Sequence, residues 1–449
     1  MASAAEQLAS NLNFGAFAKA EDLKRRIWFT LAALVVYRLG TFIPMPGINP
    51  EAFAENFQNA SKGILGLVNL FSGGAIERMA IFALNIMPYI SASIIMQLMQ
   101  SVSPTLEALK KEGEQGRKQI NQYTRYLTVA LAAFQAYGIA IGLEGTRSSI
   151  GSVVFDPGWF FRISTVITLV GGTMFLMWLG EQITQRGVGN GTSLIIFAGI
   201  VAGLPSAIAG LFELGKQGSI STFVLLALLV LMLATVAAIV FMERAQRRLL
   251  IQYPKQQVGN KMFQGSSSHL PLKLNSSGVI PPIFASSLLL LPITAAQFMA
   301  GQGPEFLQEI VARLGRGQPL YLAVYVALIV FFAFFYTSVV VNPADTADNL
   351  RKYGGFIPGI RPGAKTAEFI GYVLTRITAV GALYLAIVCV LPEILIAYWQ
   401  VPFYFGGTSL LICVSVTMDT VAQVHSHLLA HQYEGLIKKS KLRGARRGR

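Results

Sequence analysis

From Ile27 onward the chain alternates long apolar runs with shorter polar stretches. A bilayer core of about 30 Å takes about 20 helical residues to cross. On that rule the spans fall at Ile27–Phe42, Met79–Met99, Tyr126–Leu143, Ile163–Gln182, Ser193–Phe212, Thr222–Met242, Gly278–Phe298, Leu320–Val341, Gly371–Leu391 and Phe405–Val424. The pattern predicts an all-α polytopic membrane protein with ten transmembrane helices. One apolar run does not fit the series: Gly63–Phe71, ended by Gly73-Gly74, is too short to span, since nine helical residues rise only about 14 Å. It is read either as a re-entrant half-helix beside a cavity, where exposed backbone ends are tolerated, or as a loosely packed loop.

The polar stretches are residues 1–26, 101–125, 144–161, 184–191, 243–275, 342–368 and the tail from 425. Residues 1–26 end in Lys24-Arg25-Arg26 and read as a segment on the membrane surface. No apolar run precedes residue 27, so no cleavable signal peptide is expected and the first span serves as its own address.

Composition agrees with the pattern: 53% of the 449 residues are hydrophobic and 13% charged, more apolar sequence than a soluble core could hide. The net charge of +14 is unevenly placed. Most lysines and arginines fall on alternate connections and in the tail, which sets both termini in the cytoplasm. Ten spans with both ends on one side make two sets of five with opposite orientations, the layout of inverted repeats with a pathway at their interface. The expected divisions are a cytoplasmic segment 1–26, a first half 27–212 containing 63–74, a second half 213–424 containing the loops 243–275 and 342–368, and a basic tail 425–449.

The candidate chemistry is sparse. Among the carboxylates, Asp419 alone is placed inside a predicted span, with Glu77 and Glu181 at span ends. That disfavours an ion-coupled transporter, which keeps ionisable groups near the midplane. His425, His427 and His431 do not share one helix face, so no metal site is assigned. Cys389 and Cys413 lie in apolar runs and make no disulfide framework. Gly187-Val188-Gly189-Asn190-Gly191 follows no strand and has no lysine, so it reads as a turn capped by Asn190 or Thr192 rather than a phosphate loop. No nucleophile–base constellation and no nucleotide motif is visible. The readings in play are a passive gated channel, a secondary transporter for a small solute and a membrane enzyme, and the missing carboxylates and missing catalytic set count against the last two.

Several stretches, in order, resemble the SecY/Sec61-alpha family, the channel-forming subunits of the Sec protein translocase. They are FALNIMPYISASIIMQL (82–98), GEQITQRGVGNGTSLIIFAGIVAGLP (180–205), LPLKLN (270–275) with GVIPPIFASS (278–287), GGFIPGIRPG (354–363) and YFGGTSLLI (404–412). The resemblance implies two inverted five-helix halves around an hourglass pore, no enzymatic activity and no cofactor. It implies a pore ring at Ile86, Ile90, Ile196, Ile283 and Ile412. It implies a plug made of Gly63, Ile64, Leu65, Gly66, Leu67, Val68, Asn69, Leu70 and Phe71, with Gly73 and Gly74 behind it.

The second and seventh spans resemble a lateral gate, with Gln97 and Asn275 able to pair across its seam and Pro88, Pro281 and Pro282 weakening its backbone ladder. Arg244, Arg247, Arg248, Lys255 and Arg361 are the partner-docking candidates, although the tip at 253–257 carries few arginines for the family. The implied partners are the SecE and SecG subunits, the SecA motor ATPase, the ribosome through its RNA, signal sequences and nascent polypeptides, and anionic lipids. The implied location is the bacterial inner membrane.

Overall fold

The computed structural model describes residues 20–60, 69, 72–145, 147–148, 151–216, 222–253, 256–258, 261–263, 267–298, 318–399 and 407–445. Among them are ten long helices: α1 (Glu21–Gly40), α3 (Met87–Val102), α5 (Glu114–Gly145), α6 (Trp159–Arg186), α7 (Gly191–Lys216), α8 (Thr222–Arg244), α9 (Ile280–Phe298), α10 (Pro319–Val340), α12 (Ala364–Trp399) and α13 (Gly407–Ala445). Three shorter ones lie between them: α2 (Pro50–Ala60), α4 (Pro104–Lys111) and α11 (Pro343–Lys352). Seven of the long helices are long and apolar enough by themselves to cross a membrane, so the chain is a multi-pass membrane protein.

The helices that read cleanly from the sequence are those whose ends carry punctuation. Asn190 accepts from the Thr192 amide at 3.1 Å and starts α7. Asn342 accepts from the Ala344 amide at 3.0 Å and starts α11, with Pro343 in the first turn. The polar stretch 101–125, expected as a connection, is instead helical. Pro104 opens α4, Gly113 turns the chain in the left-handed region at φ 79°, and α5 starts at Glu114. Its Glu, Gln, Lys and Arg residues are good helix formers, so polarity alone does not end a helix. At the other end of the chain the helix does not stop at Val424 but runs on through Ala445.

The second span is shorter than its apolar run. Residues 72–86 form turns and the helix starts only at Met87, with Pro88 in its first turn. Two forces shape this segment. Proline lacks the amide that a longer helix would need at that point. The chain before it is also held sideways: Met45 donates to Met79 O at 3.0 Å, and Ile81 donates to Ile43 O at 3.0 Å. Gly172 of α6 lets this segment lie close, because a Cβ there would stand 2.2 Å from Ile81 O.

Helices α3, α5, α6, α7 and α1 pack on one another, as do α9, α10, α12 and α13 with α8. The two groups meet along two lines. On one side α9 packs against α3 and α5; on the other α13 packs against α7 and α1. Glu144 of α5 grips Arg162 of α6 at 2.7 Å and the Gly158 amide at 3.1 Å. At the other end of the same helix pair Arg125 and Glu181 bond bidentately at 2.6 Å.

The connection 243–275, expected as a loop, contains β-structure. Strand β3 (Gln246–Gln252) pairs antiparallel with β6 (Ser267–Lys273), and the short β4 (Gln256–Val258) pairs with β5 (Lys261–Phe263). Leu249 and Ile251 are buried on one face of β3 while Arg248 and Leu250 are exposed on the other, the period-two pattern of a half-buried strand; Arg247, on the face of Leu249, is exposed near the strand's start. Leu249 and Leu272 pack with Ile357 and with Ile370, Val373, Leu374 and Ile377 of α12 in an apolar cluster of their own. Gln252 exchanges both backbone bonds with Phe356, at 2.9 and 3.0 Å, and so joins the hairpin to the connection 342–368.

Candidate functional site: an apolar constriction under a basic cap

The main apolar cluster contains Ile86 at the start of α3, Ile90 on α3, Ile196 on α7 and Ile412 on α13, all buried. Ile283 of α9 is half-buried and packs against the same cluster. Five isoleucines 326 residues apart in sequence at their extremes, from both groups of helices, therefore belong to one large apolar cluster. No hydrogen-bonding or ionisable side chain belongs to this set. Chemically it offers a passing chain no strong bond of any kind, and an apolar ring resists wetting.

Of the plug candidates, Asn69, Gly73 and Gly74 are described; Gly63, Ile64, Leu65, Gly66, Leu67, Val68, Leu70 and Phe71 lie outside the described residues. The C-terminal margin of that segment is held firmly. Asn69 Nδ2 donates to Glu77 Oε2 at 3.3 Å, and its Oδ1 accepts from the Glu77 amide at 3.0 Å. Tyr37 donates to Ser72 O at 3.3 Å, and Arg38 donates to Gly73 O. Gly73, in the left-handed region at φ 65°, lies against Gly199 of α7, where a Cβ would stand 3.1 Å from the Gly199 Cα. The Arg38 and Arg78 guanidiniums lie 4.9 and 4.2 Å from the centre of the Phe42 ring, a cation–π pair the sequence did not signal.

Gln97 and Asn275 do not pair. Gln97 donates within α3 to Ser93 at 3.4 Å, and its Oε1 is buried without a partner. Asn275 donates to Glu243 Oε1 of α8 at 2.7 Å and to Gly278 O at 3.0 Å, and accepts from Ser277 at 3.0 Å. A carboxylate is a stronger acceptor than an amide oxygen, and Asn275 precedes α9 instead of standing on it. Pro281 and Pro282 fall in the first turn of α9, as Pro88 does in α3. There they remove no bond a helix would make, so they set where the helices start and do not weaken a ladder.

Arg244, Arg247, Arg248 and Arg361 are all exposed, the first three along α8 and β3 and the last in the turn before α12. Lys255 lies outside the described residues. The Gln252–Phe356 bridge brings the two connections that carry these arginines into one cap. Of the histidines, His425 and His427 are exposed on α13, and no group of metal-ligating side chains occurs among the described residues.

Glu393 is a residue the sequence reading missed. The ninth span was ended at Leu391, but α12 continues through Pro392 to Trp399, and Glu393 is 6% exposed within it. Proline inside the apolar run suggested an end; neighbouring helices tolerate it instead.

The geometry defines a class first: a polytopic helical membrane protein in which two groups of helices share a large apolar cluster, with a hairpin that carries exposed arginines beyond the helices. The model of the SecY family matches residues 80–421. The protein translocase subunit SecY of Rickettsia felis is 54% identical over 422 residues, covering 94% of this chain and 97% of its own. That of Escherichia coli is 53% identical over 424 residues, covering 94% and 96%. A solved structure of a protein conducting channel shares the fold with a TM-score of 0.65 at 16% identity, covering 90% of this chain and 92% of its own. The chain belongs to the SecY family of protein translocase subunits; it is a channel subunit and not an enzyme.

Proposed function

We propose that the chain forms a passive, gated protein-conducting channel that passes unfolded polypeptides across the bacterial inner membrane and releases apolar segments sideways into lipid. One observation carries this reading: Ile86, Ile90, Ile196, Ile283 and Ile412 converge from α3, α7, α9 and α13 on a single apolar cluster. A ring of that kind closes around chains of any sequence without binding them, and its dryness holds back ions. The two groups of helices correspond to halves 27–212 and 213–424, and the line where α9 meets α3 is the lateral gate. Residues 63–71 are assigned as the plug; a related channel of known structure is described as having a plug domain that stabilises its closed state and maintains a membrane seal.

Both termini and the hairpin cap are cytoplasmic, where positive charge is retained. The exposed arginines of the cap suit an acidic partner, and neutralisation of RNA phosphates needs no sequence match. A related channel of known structure is described in a canine ribosome–channel complex. The ribosome and the motor SecA are therefore proposed to dock on the cap, with SecE and SecG as companion subunits and anionic lipids around them.

The test is transport in reconstituted vesicles. The complex with its companion subunits and SecA should carry a secretory precursor into the lumen when ATP is supplied, and omission of this chain should abolish it. Deleting residues 64–71 should raise ion leak; unchanged conductance would remove the plug assignment.

A further inference from the structure

The base of the hairpin is closed by a side-chain bond that the channel reading does not require. Glu243 is the second-last residue of α8, and Asn275 stands five residues before α9. Their 2.7 Å bond therefore joins the end of α8 to the segment that leads into α9, just outside the backbone bond from Leu274 N to Ala245 O at 3.0 Å. Asn275 has no freedom left: its second amide proton goes to Gly278 O, and its Oδ1 takes Ser277. It is 4% exposed. The last turn of α8, the end of β6 and the turn that leads into α9 are thus tied through one amide. Lys273 and Asp419 both lie within electrostatic reach of the carboxylate, so charge on α13 also bears on it. Arg247 and Arg248, both exposed on the same stem, are where a load would be applied.

We propose that Glu243 is a positioning residue: its bond to Asn275 makes the cytosolic hairpin and the start of α9 one rigid lever, so that a pull on the hairpin is delivered to the seam between α9 and α3. This rests on the reading of the cap as a docking surface and of α9 as a gate helix. Without the bond the hairpin remains fastened to α12 by Leu249 and Leu272, but α9 is joined to it only by the chain.

The experiment places spin labels at Leu250, exposed on β3, and Leu288, exposed on α9, in the full complex in nanodiscs, and reads their distance distribution. Loss of a charge-assisted bond at the base should broaden it about twofold in Glu243→Ala and equally in Asn275→Ala. The double variant should be no broader than either single one, as for two residues acting through one bond. Glu243→Gln keeps an acceptor oxygen and should stay close to wild type. An unchanged distribution in both alanine variants, or additive broadening in the double, overturns the proposal. A second label pair, Met99 on α3 and Leu288 on α9, addresses the docking reading separately: if added ribosomes leave that wild-type distance unmoved while the alanine variants are broadened in the first pair, the lever stands and the docking assignment falls.

Discussion

The constriction and the cap work by opposite chemistry. The proposed constriction is five isoleucines, four buried and Ile283 half-buried, in one largely apolar cluster. The cap is a two-stranded stem with an apolar inner face and Arg248 on its outer one, and Arg244, Arg247 and Arg361 are exposed as well. In the first, function follows from what is excluded, so the fit of side chains decides everything. In the second, function follows from what is displayed, and packing serves only to hold the display still. Substitutions should therefore act through stability and gating in the interior, and through binding alone on the cap.

The largest effect is expected from closing the space that lets residues 72–86 reach the ring. Gly172→Ala drives a methyl against the Ile81 carbonyl, a backbone atom that cannot step aside. Overpacking of that kind costs about 3 kcal/mol or more, read as a drop in the thermal midpoint of the purified complex.

Next comes the ring itself. Ile412→Asn puts an unpaired amide where an apolar contact was, at about 1–3 kcal/mol. That shift narrows the gap between closed and open states, so a reporter with a crippled signal sequence should be exported. Leu229→Asn, on an exposed face of α8, should not rescue it.

On the cap, Arg361→Glu should cut SecA-dependent export while moving stability by no more than about 0.5 kcal/mol, the usual range for an exposed position. Normal export at normal abundance would end the docking role of Arg361.

The smallest effect marks the limit of the contrast. Glu107 and Lys111 pair at 2.9 Å on α4, both well exposed, and the hydrogen bond from Lys111 holds the Glu107 carboxyl below the usual range. A lowered carboxyl contributes above its unfolded pKa, and that contribution fades as pH falls through the folded one. Glu107→Gln should therefore lower the melting midpoint only slightly near neutral pH, because the pair is exposed, and should leave it unchanged in acid below the folded pKa.

Much of the membrane part was legible in the sequence, because apolar run length is a direct physical demand of the bilayer. The failures share a cause: at three boundaries backbone chemistry, which hydropathy does not report, prevailed. Pro88 and the backbone bonds to 43–45 delayed α3, Glu393 was carried inside α12 past Pro392, and helix-forming polar residues made 104–125 helical. The hairpin left little signal: QRRLLIQ is three polar residues and then three apolar ones, and its alternate burial appears only once β3 is paired and packed. The ring is different in kind. A single isoleucine in a membrane helix carries no mark of its role, and only the resemblance singled out these five. Gln97 and Asn275 show the converse: residue type suggested a pair across the seam, but Glu243 was the better acceptor and no linear pattern pointed to it.

The central claim, that the five isoleucines seal a pore, is tested most directly by ion flux through vesicles that hold the reconstituted complex. Ile86→Asn and Ile412→Asn should each raise resting conductance above wild type, and Leu229→Asn, at equal protein content, should not. Equal leak from the lipid-facing variant, or none from either ring variant, would contradict it.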